Sequence, residues 1–227
     1  MTTVDLVVAG AIISNPLMIR NAIRSVPDFD YLTKTIIIDG VPSSTLPERE
    51  AEHGKYVADL MKEFPEFTVI HMTSNVYFRK AIESLKLDAD YSLIIQDDVI
   101  LQEFNLNGVL NDMIKKEVGW LTFPHKEITT STHWYEIPED QSGDMWKVYG
   151  VSERVFIVNN KTLQQIFEKF KDRNTKREVL FIEAIFHRKM LGLPWKRGTI
   201  DKDEYWATWQ SYLHMKIIHY HQVGKRF

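Results

Sequence analysis

Tyr91-Ser92-Leu93-Ile94-Ile95-Gln96-Asp97-Asp98-Val99-Ile100-Leu101 is a strand-like apolar run that ends in two adjacent carboxylates and then resumes its apolar character. Leaving unpaired charge buried at the end of a central strand costs roughly several kcal/mol, so the placement asks for a compensating cation. Hard oxygen ligands suit Mg²⁺ or Mn²⁺, ions that commonly hold a phosphate-bearing molecule rather than sit in an all-protein cage. The plainer alternative is a strand closed by an Asp-Asp turn.

Upstream of this run, strands and helices alternate. Leu6 to Ile13 is a continuous apolar stretch with Gly10 inside it, as expected of a strand buried on both faces. Ser14-Asn15-Pro16 supplies a cap and a helix-starting proline, and Leu17, Met18, Ile19, Ala22 and Ile23 follow at helical spacing. Thr35 to Ile38 reads as a second strand closed by an Asp39-Gly40 turn, and Pro47 to Phe64 as an amphipathic helix. Phe67 to His71 is a third strand, Val76 to Leu87 a helix and Tyr91 to Ile95 the fourth strand. This cadence predicts an α/β fold, a mainly parallel central sheet with helices on both faces, whose ligands bind beyond the carboxyl ends of the strands. Asp39, Asp97 and Asp98 all fall at such ends. In the second half, Leu106 to Lys116 reads as helix, Gly119 to Pro124 as strand, and His125 to Trp146 as largely loop. Val148 to Asn159 reads as strand, Lys161 to Phe170 and Val179 to Leu191 as helices, and Lys216 to Val223 as a terminal strand.

Length and composition narrow the function. With 227 residues, 44% hydrophobic and 26% charged, the chain is expected to form one domain around one core. A net charge of −3 provides no global basic field, which argues against nucleic acid or an anionic membrane as partner. The absence of cysteine removes disulfides, thiolate nucleophiles and Cys-ligated zinc. The first residues lack a basic leader, and their apolar run is too short to span a membrane, so the expected location is cytoplasmic, in a microbial or virus-infected host cell.

The first 125 or so residues resemble the nucleotide-sugar-dependent glycosyltransferases of the GT-A (Rossmann-like) fold. The resemblance rests on strand 1, the Asp39-Gly40 turn, the segment Asn75-Val76-Tyr77-Phe78-Arg79-Lys80-Ala81-Ile82 and the strand into Gln96-Asp97-Asp98, in that order. It implies a nucleotide-sugar-binding half over 1–100 and, over 101–227, an acceptor-binding half with a C-terminal metal-ligand strand. It also implies a UDP-sugar donor, a glycan or glycoprotein acceptor, and Mn²⁺ or Mg²⁺ as cofactor. Under it Asp39 contacts the base or ribose, Arg79 lies near the diphosphate and Asp98 binds the metal, with Ala9, Gly10, Ser14, Gln96, Asp97 and Lys225 completing the donor site. Gln96 departs from the family's D-x-D pattern; it can hydrogen-bond a ribose hydroxyl but is a poorer metal ligand than a carboxylate. Each residue also has a plain reading: Asp39 as an Asx turn before Gly40, Arg79 as a solvated helix residue.

Near the C-terminus, Ile217-Ile218-His219-Tyr220-His221-Gln222-Val223-Gly224-Lys225-Arg226-Phe227 would place His219 and His221 on one side of a strand. The family commonly supplies a late histidine as a further metal ligand, and His221 before Gly224 fits that habit; the alternative is a structural histidine. Lys225 and Arg226 either neutralise a diphosphate or form a basic terminus. An inverting enzyme needs a carboxylate base, for which Glu183 and Asp144 are the candidates, Glu183 reading equally as a salt-bridged helix residue. Two rivals stand beside this reading. A sugar nucleotidyltransferase shares the nucleotide fold but normally opens with a glycine-rich, arginine-containing loop, which Gly10-Ala11-Ile12-Ile13-Ser14-Asn15 lacks. The other is a non-catalytic carbohydrate- or protein-binding module, for which Gln96 leaves room.

Overall fold

The computed structural model describes residues 2–10, 16–41, 47–74, 76–97, 99–101, 103–122, 134–136, 147–149, 155–171, 196–199 and 207–209. Of residues 16, 77–79, 122, 134–136, 147–149, 196–199 and 207–209 only the backbone is described. The elements in the first half are β1 (Val4–Gly10), α1 (Pro16–Arg24), β2 (Thr33–Ile38), α2 (Pro47–Glu63), β3 (Thr68–His71), α3 (Tyr77–Glu83) and β4 (Tyr91–Gln96). They continue with β5 (Val99–Leu101), α4 (Leu106–Lys116), β6 (Val118–Thr122), β7 (Trp134–Glu136), β8 (Lys147–Tyr149), β9 (Val155–Asn159), α5 (Asn160–Lys169), β10 (Lys196–Thr199) and β11 (Ala207–Trp209).

Seven strands form one sheet in the order β10-β6-β9-β4-β1-β2-β3. All neighbours are parallel except at β9, which runs antiparallel to both β4 and β6. The expected mainly parallel α/β sheet is therefore present. Period-two alternation sorts each central strand between two cores, as a sheet covered on both faces requires. Leu6, Val8, Ile36, Ile38, Leu93, Ile95 and Ile157 pack with α1, α2 and α4 through residues such as Ile19, Leu60 and Leu110. Val7, Ala9, Ile37, Ile94, Phe156 and Val158 pack on the other face with α3 and α5 through Ile82, Leu163 and Ile166. In β6 the register with β10 skips Gly119, and this bulge reverses the alternation. Val118 and Leu121 consequently enter the first core, while Trp120 stacks on Phe156 in the second at 4.1 Å between ring centroids.

At the amino-terminal edge, buried polar groups join the strands. Asp5 on β1 accepts from the Thr33 hydroxyl at 2.7 Å and from the Ala89 amide at 3.0 Å. Asn160, which opens α5, accepts from the Ser92 hydroxyl at 2.7 Å and donates to the Ala89 carbonyl at 2.8 Å. Each such buried group needs a partner, so these bonds align β1, β2, β4 and α5 at the edge away from the ligand side.

Several expectations need correction. The helix expected over Val76 to Leu87 stops at Glu83, because the Ser84 hydroxyl turns back onto the Ala81 carbonyl at 2.6 Å and so competes with helical bonding. The strand expected from Val148 to Asn159 is two strands, β8 and β9, with different partners. Within His125 to Trp146, expected to be largely loop, the described residues are the three of β7, which pairs with β8. The expected helix Val179 to Leu191 and strand Lys216 to Val223 lie outside the described residues.

Candidate functional site

The strand order determines where a ligand can enter. From β1 the chain steps outward to β2 and β3, then crosses back to place β4 on the other side of β1. The order reverses between β1 and β4, the place beyond whose carboxyl ends open α/β sheets generally bind their ligands. Ala9 pairs with Gln96 across this line, and the Asp97 amide donates to the Ala9 carbonyl at 2.9 Å. On the β2 side Gly10 pairs with Ile38, and the Asp39 amide donates to the Gly10 carbonyl at 3.0 Å. Ala9, Gly10, Asp39, Gln96 and Asp97 are thus brought together, all five from the expected donor site.

Gly10 permits this closeness. A Cβ there would come within 2.7 Å of Ile38 Cδ1, 2.9 Å of Ile19 Cδ1 and 3.7 Å of Asp97 Oδ2. Gly10 is thus a buried strand end on which the Ile38 and Ile19 side chains close, beside the Asp97 carboxylate. Asp97 also acts on α2: the phenol of the buried Tyr56 is pushed well above its ordinary range by burial first, then by the charge of Asp97, with Arg20 opposing and Glu63 adding. The Arg20 guanidinium lies 6.0 Å from the Tyr56 ring centroid and is ion-paired to Glu63, linking α1 to α2 on this side of the sheet.

Asp39 serves architecture. Its side chain is buried, and Oδ1 accepts from the Gly40 amide at 2.9 Å and from the Val76 amide at 2.7 Å. Val76 precedes α3 and has no side chain able to cap it, so a carboxylate from another element places negative charge at the positive end of that helix. Gly40 allows the approach: a Cβ there would fall 2.4 to 2.5 Å from the backbone of Ser74. The bond to Gly40 is to the next amide and not to the one two residues on that an Asx turn uses, and the same oxygen reaches a segment 37 residues away. Arg79 lies on α3, the helix so anchored, and its side chain is outside the described residues. Ser14, Asp98, Asp144, Glu183, His221 and Lys225 also lie outside them. Among the described residues no group of three or more His, Cys, Asp or Glu could hold a metal.

His53 was not singled out from the sequence. It lies on α2, on the buried stripe His53, Tyr56, Val57 and Leu60, and its Nε2–H donates to the Asp39 carbonyl at 3.0 Å. The available signal was a histidine at a core position of an apolar helical stripe. Burial first, then His71, whose ring meets it edge-on at 4.9 Å, holds its imidazole below the ordinary 6.5, against the opposing pull of the Asp39 carbonyl.

Solved structures share this fold. Staphylococcus aureus TarS in complex with UDP aligns at a TM-score of 0.58 and 11% identity over 95% of this chain and 64% of that one. The chain has a GT-A fold. It spans 39% of a longer TarS chain. A Bacillus anthracis structure described as a putative glucose-1-phosphate thymidylyltransferase aligns at 0.55 and 12% identity, over 99% of this chain and 97% of that one. 4-Diphosphocytidyl-2C-methyl-D-erythritol synthase from Anaerococcus prevotii aligns at 0.51 and 9%, over 99% and 97%. At such identities the likeness is one of fold. No protein-family model and no curated protein matches the sequence. Among the described residues, no helix is long and apolar enough to cross a membrane.

Proposed function

We propose that the chain is a metal-dependent glycosyltransferase that moves a sugar from a UDP-sugar to a hydroxyl of a glycan or glycoprotein acceptor. The observation that carries this reading is that β4 ends in Gln96-Asp97 at the β1/β4 reversal, with the Asp97 carboxylate beside Gly10. TarS, which shares the fold, was solved both with UDP and with UDP-GlcNAc. The donor set suits Mn²⁺ or Mg²⁺: Asp98 and His221 as carboxylate and imidazole ligands, with Gln96 free of that duty by its chemistry. A divalent ion there would offset the charge developing on the diphosphate leaving group. β11 supports the part given to His221, because it pairs with β5 directly after Asp98 and so returns the chain to the motif 12 residues before His221. Ala9, Gly10, Ser14, Asp39 and Arg79 line the donor, Lys225 meets its diphosphate, and Glu183 or Asp144 accepts the proton of the acceptor hydroxyl. The 1–100 half holds the nucleotide-sugar and 101–227 the acceptor.

The deciding experiment is calorimetric titration of UDP with and without Mn²⁺ into wild type, Asp98→Ala and His221→Ala. Binding that requires Mn²⁺ in wild type, is lost in Asp98→Ala and is weakened roughly 10- to 100-fold in His221→Ala supports the reading. Equal affinities throughout overturn the metal site.

A second reading has its own observation: two nucleotidyltransferase-type structures match over 97% of their length, against 64% for TarS. Release of pyrophosphate from a nucleoside triphosphate and a sugar phosphate, without sugar transfer from UDP-sugars, would establish it.

A further inference from the structure

Asp39 is held on four sides. Its amide bonds Gly10, its Oδ1 takes the Gly40 and Val76 amides, and its carbonyl, which lies past the end of β2, is met by His53 Nε2–H at 3.0 Å. Without His53 that carbonyl would lose the donor that ties it to α2, and β2, the start of α3 and α2 meet at this one residue. Because a carbonyl only accepts, Nε2 carries the proton and Nδ1 is left as a lone pair. Nδ1 is buried and has no partner among the described residues, and the whole residue is 1% exposed.

We propose that His53 is a positioning residue for the nucleoside end of the site: in its neutral form it holds the Asp39-Gly40 turn, and its protonation loosens that turn and weakens nucleotide binding. The inference rests on the glycosyltransferase reading for its ligand, while the junction itself is independent of that reading. Protonation would place a charged N–H in the interior with no acceptor among the described residues. The groups facing the ring do not compensate: His71 on β3 meets it edge-on and is itself basic, Tyr56 on α2 lies 6.4 Å away ring to ring, and Asp39 has its Oδ1 already taken by two amides. The low imidazole pKa reported above has the same origin. The turn it holds is the one that sets the start of α3 and therefore the helix bearing Arg79.

The test measures UDP affinity in the presence of Mn²⁺ between pH 5.5 and 8 together with amide hydrogen exchange at Gly40 and Val76, in wild type, His53→Gln, His53→Phe and His71→Asn. In wild type, affinity should fall roughly five- to tenfold toward pH 5.5, the scale of one buried hydrogen bond, with a matching fall in the protection of both amides relative to the unfolded chain at the same pH. His71→Asn should move this change to higher pH. His53→Gln, which can still donate to the carbonyl but does not titrate, should bind like wild type at pH 7.5 and lose the acid step. His53→Phe should bind weakly and show low amide protection at every pH. An unchanged acid step in His53→Gln, or wild-type affinity and protection in His53→Phe, overturns the proposal. If His53→Phe does not fold, the Gln and His71→Asn variants decide the matter between them. If wild type binds no UDP at any pH, the glycosyltransferase reading fails on that arm alone, and the pH dependence of Gly40 and Val76 exchange still decides the role of His53.

Discussion

Replacing Asp39 by alanine should destabilise the protein by an amount the structure allows to be worked out. The carboxylate accepts two backbone amides, from Gly40 at 2.9 Å and Val76 at 2.7 Å. A hydrogen bond to a charged group contributes about 1.5–3 kcal/mol net. Gly40 is buried, so its amide would be left with neither carboxylate nor water and carries the full penalty. Val76 is half-buried, so its amide recovers some hydration and contributes less. The sum is a loss of about 2–4 kcal/mol for Asp39→Ala. Asparagine keeps an acceptor of the same shape without the charge, at about 0.5–1.5 kcal/mol per neutral bond, so Asp39→Asn should lose only about half as much. Urea unfolding followed by circular dichroism measures both; for alanine the midpoint should fall by about 1 M with the slope unchanged. An alanine variant within about 0.5 kcal/mol of wild type, the range of an ordinary surface substitution, would refute the account. So would an asparagine variant as damaged as the alanine one, because the acceptor atom would then not be what matters.

Gly40→Ala should cost about 1–3 kcal/mol in the same assay, since its Cβ would meet the Ser74 backbone rather than a side chain that can swing away. Gly10→Ala should cost less than Gly40→Ala, because its contacts are the terminal methyls of Ile38 and Ile19. Asn160→Ala should lose about 2–3 kcal/mol by orphaning the buried Ser92 hydroxyl and the Ala89 carbonyl. Stability should also fall in mild acid: His53 titrates lower in the folded protein than the ordinary 6.5 of the unfolded chain, so below that value the unfolded state binds the proton first. The contribution is complete above about pH 7, shrinks as the pH drops through 6.5 toward the folded value, and should vanish from the urea midpoints of His53→Gln.

The sequence alone determined which segments would be buried strands and which helices would cover them, because burial on both faces forces the uninterrupted runs in β1, β2 and β4, and one-sided burial forces the stripe in α2. It also placed Asp39 and Asp97 at strand ends, since an apolar run that stops in a carboxylate marks its own boundary. Strand direction was not legible: Val155 to Asn159 is as apolar as its parallel neighbours, and a strand buried on both faces reads the same either way, so only pairing with β4 and β6 revealed β9 as reversed. The division of Val148 to Asn159 between two sheets was hidden for the same reason. Nor could the partners of Asp39 be found locally, because Val76 is 37 residues away and reaches it only after β3 has joined β2. His53 stands on the apolar stripe of α2, but its partner, the Asp39 carbonyl, is decided only by what that stripe packs against. Periodicity and charge act over a few residues and are written in the chain, whereas hydrogen bonds between distant segments depend on which strands become neighbours, and that is decided when the sheet assembles.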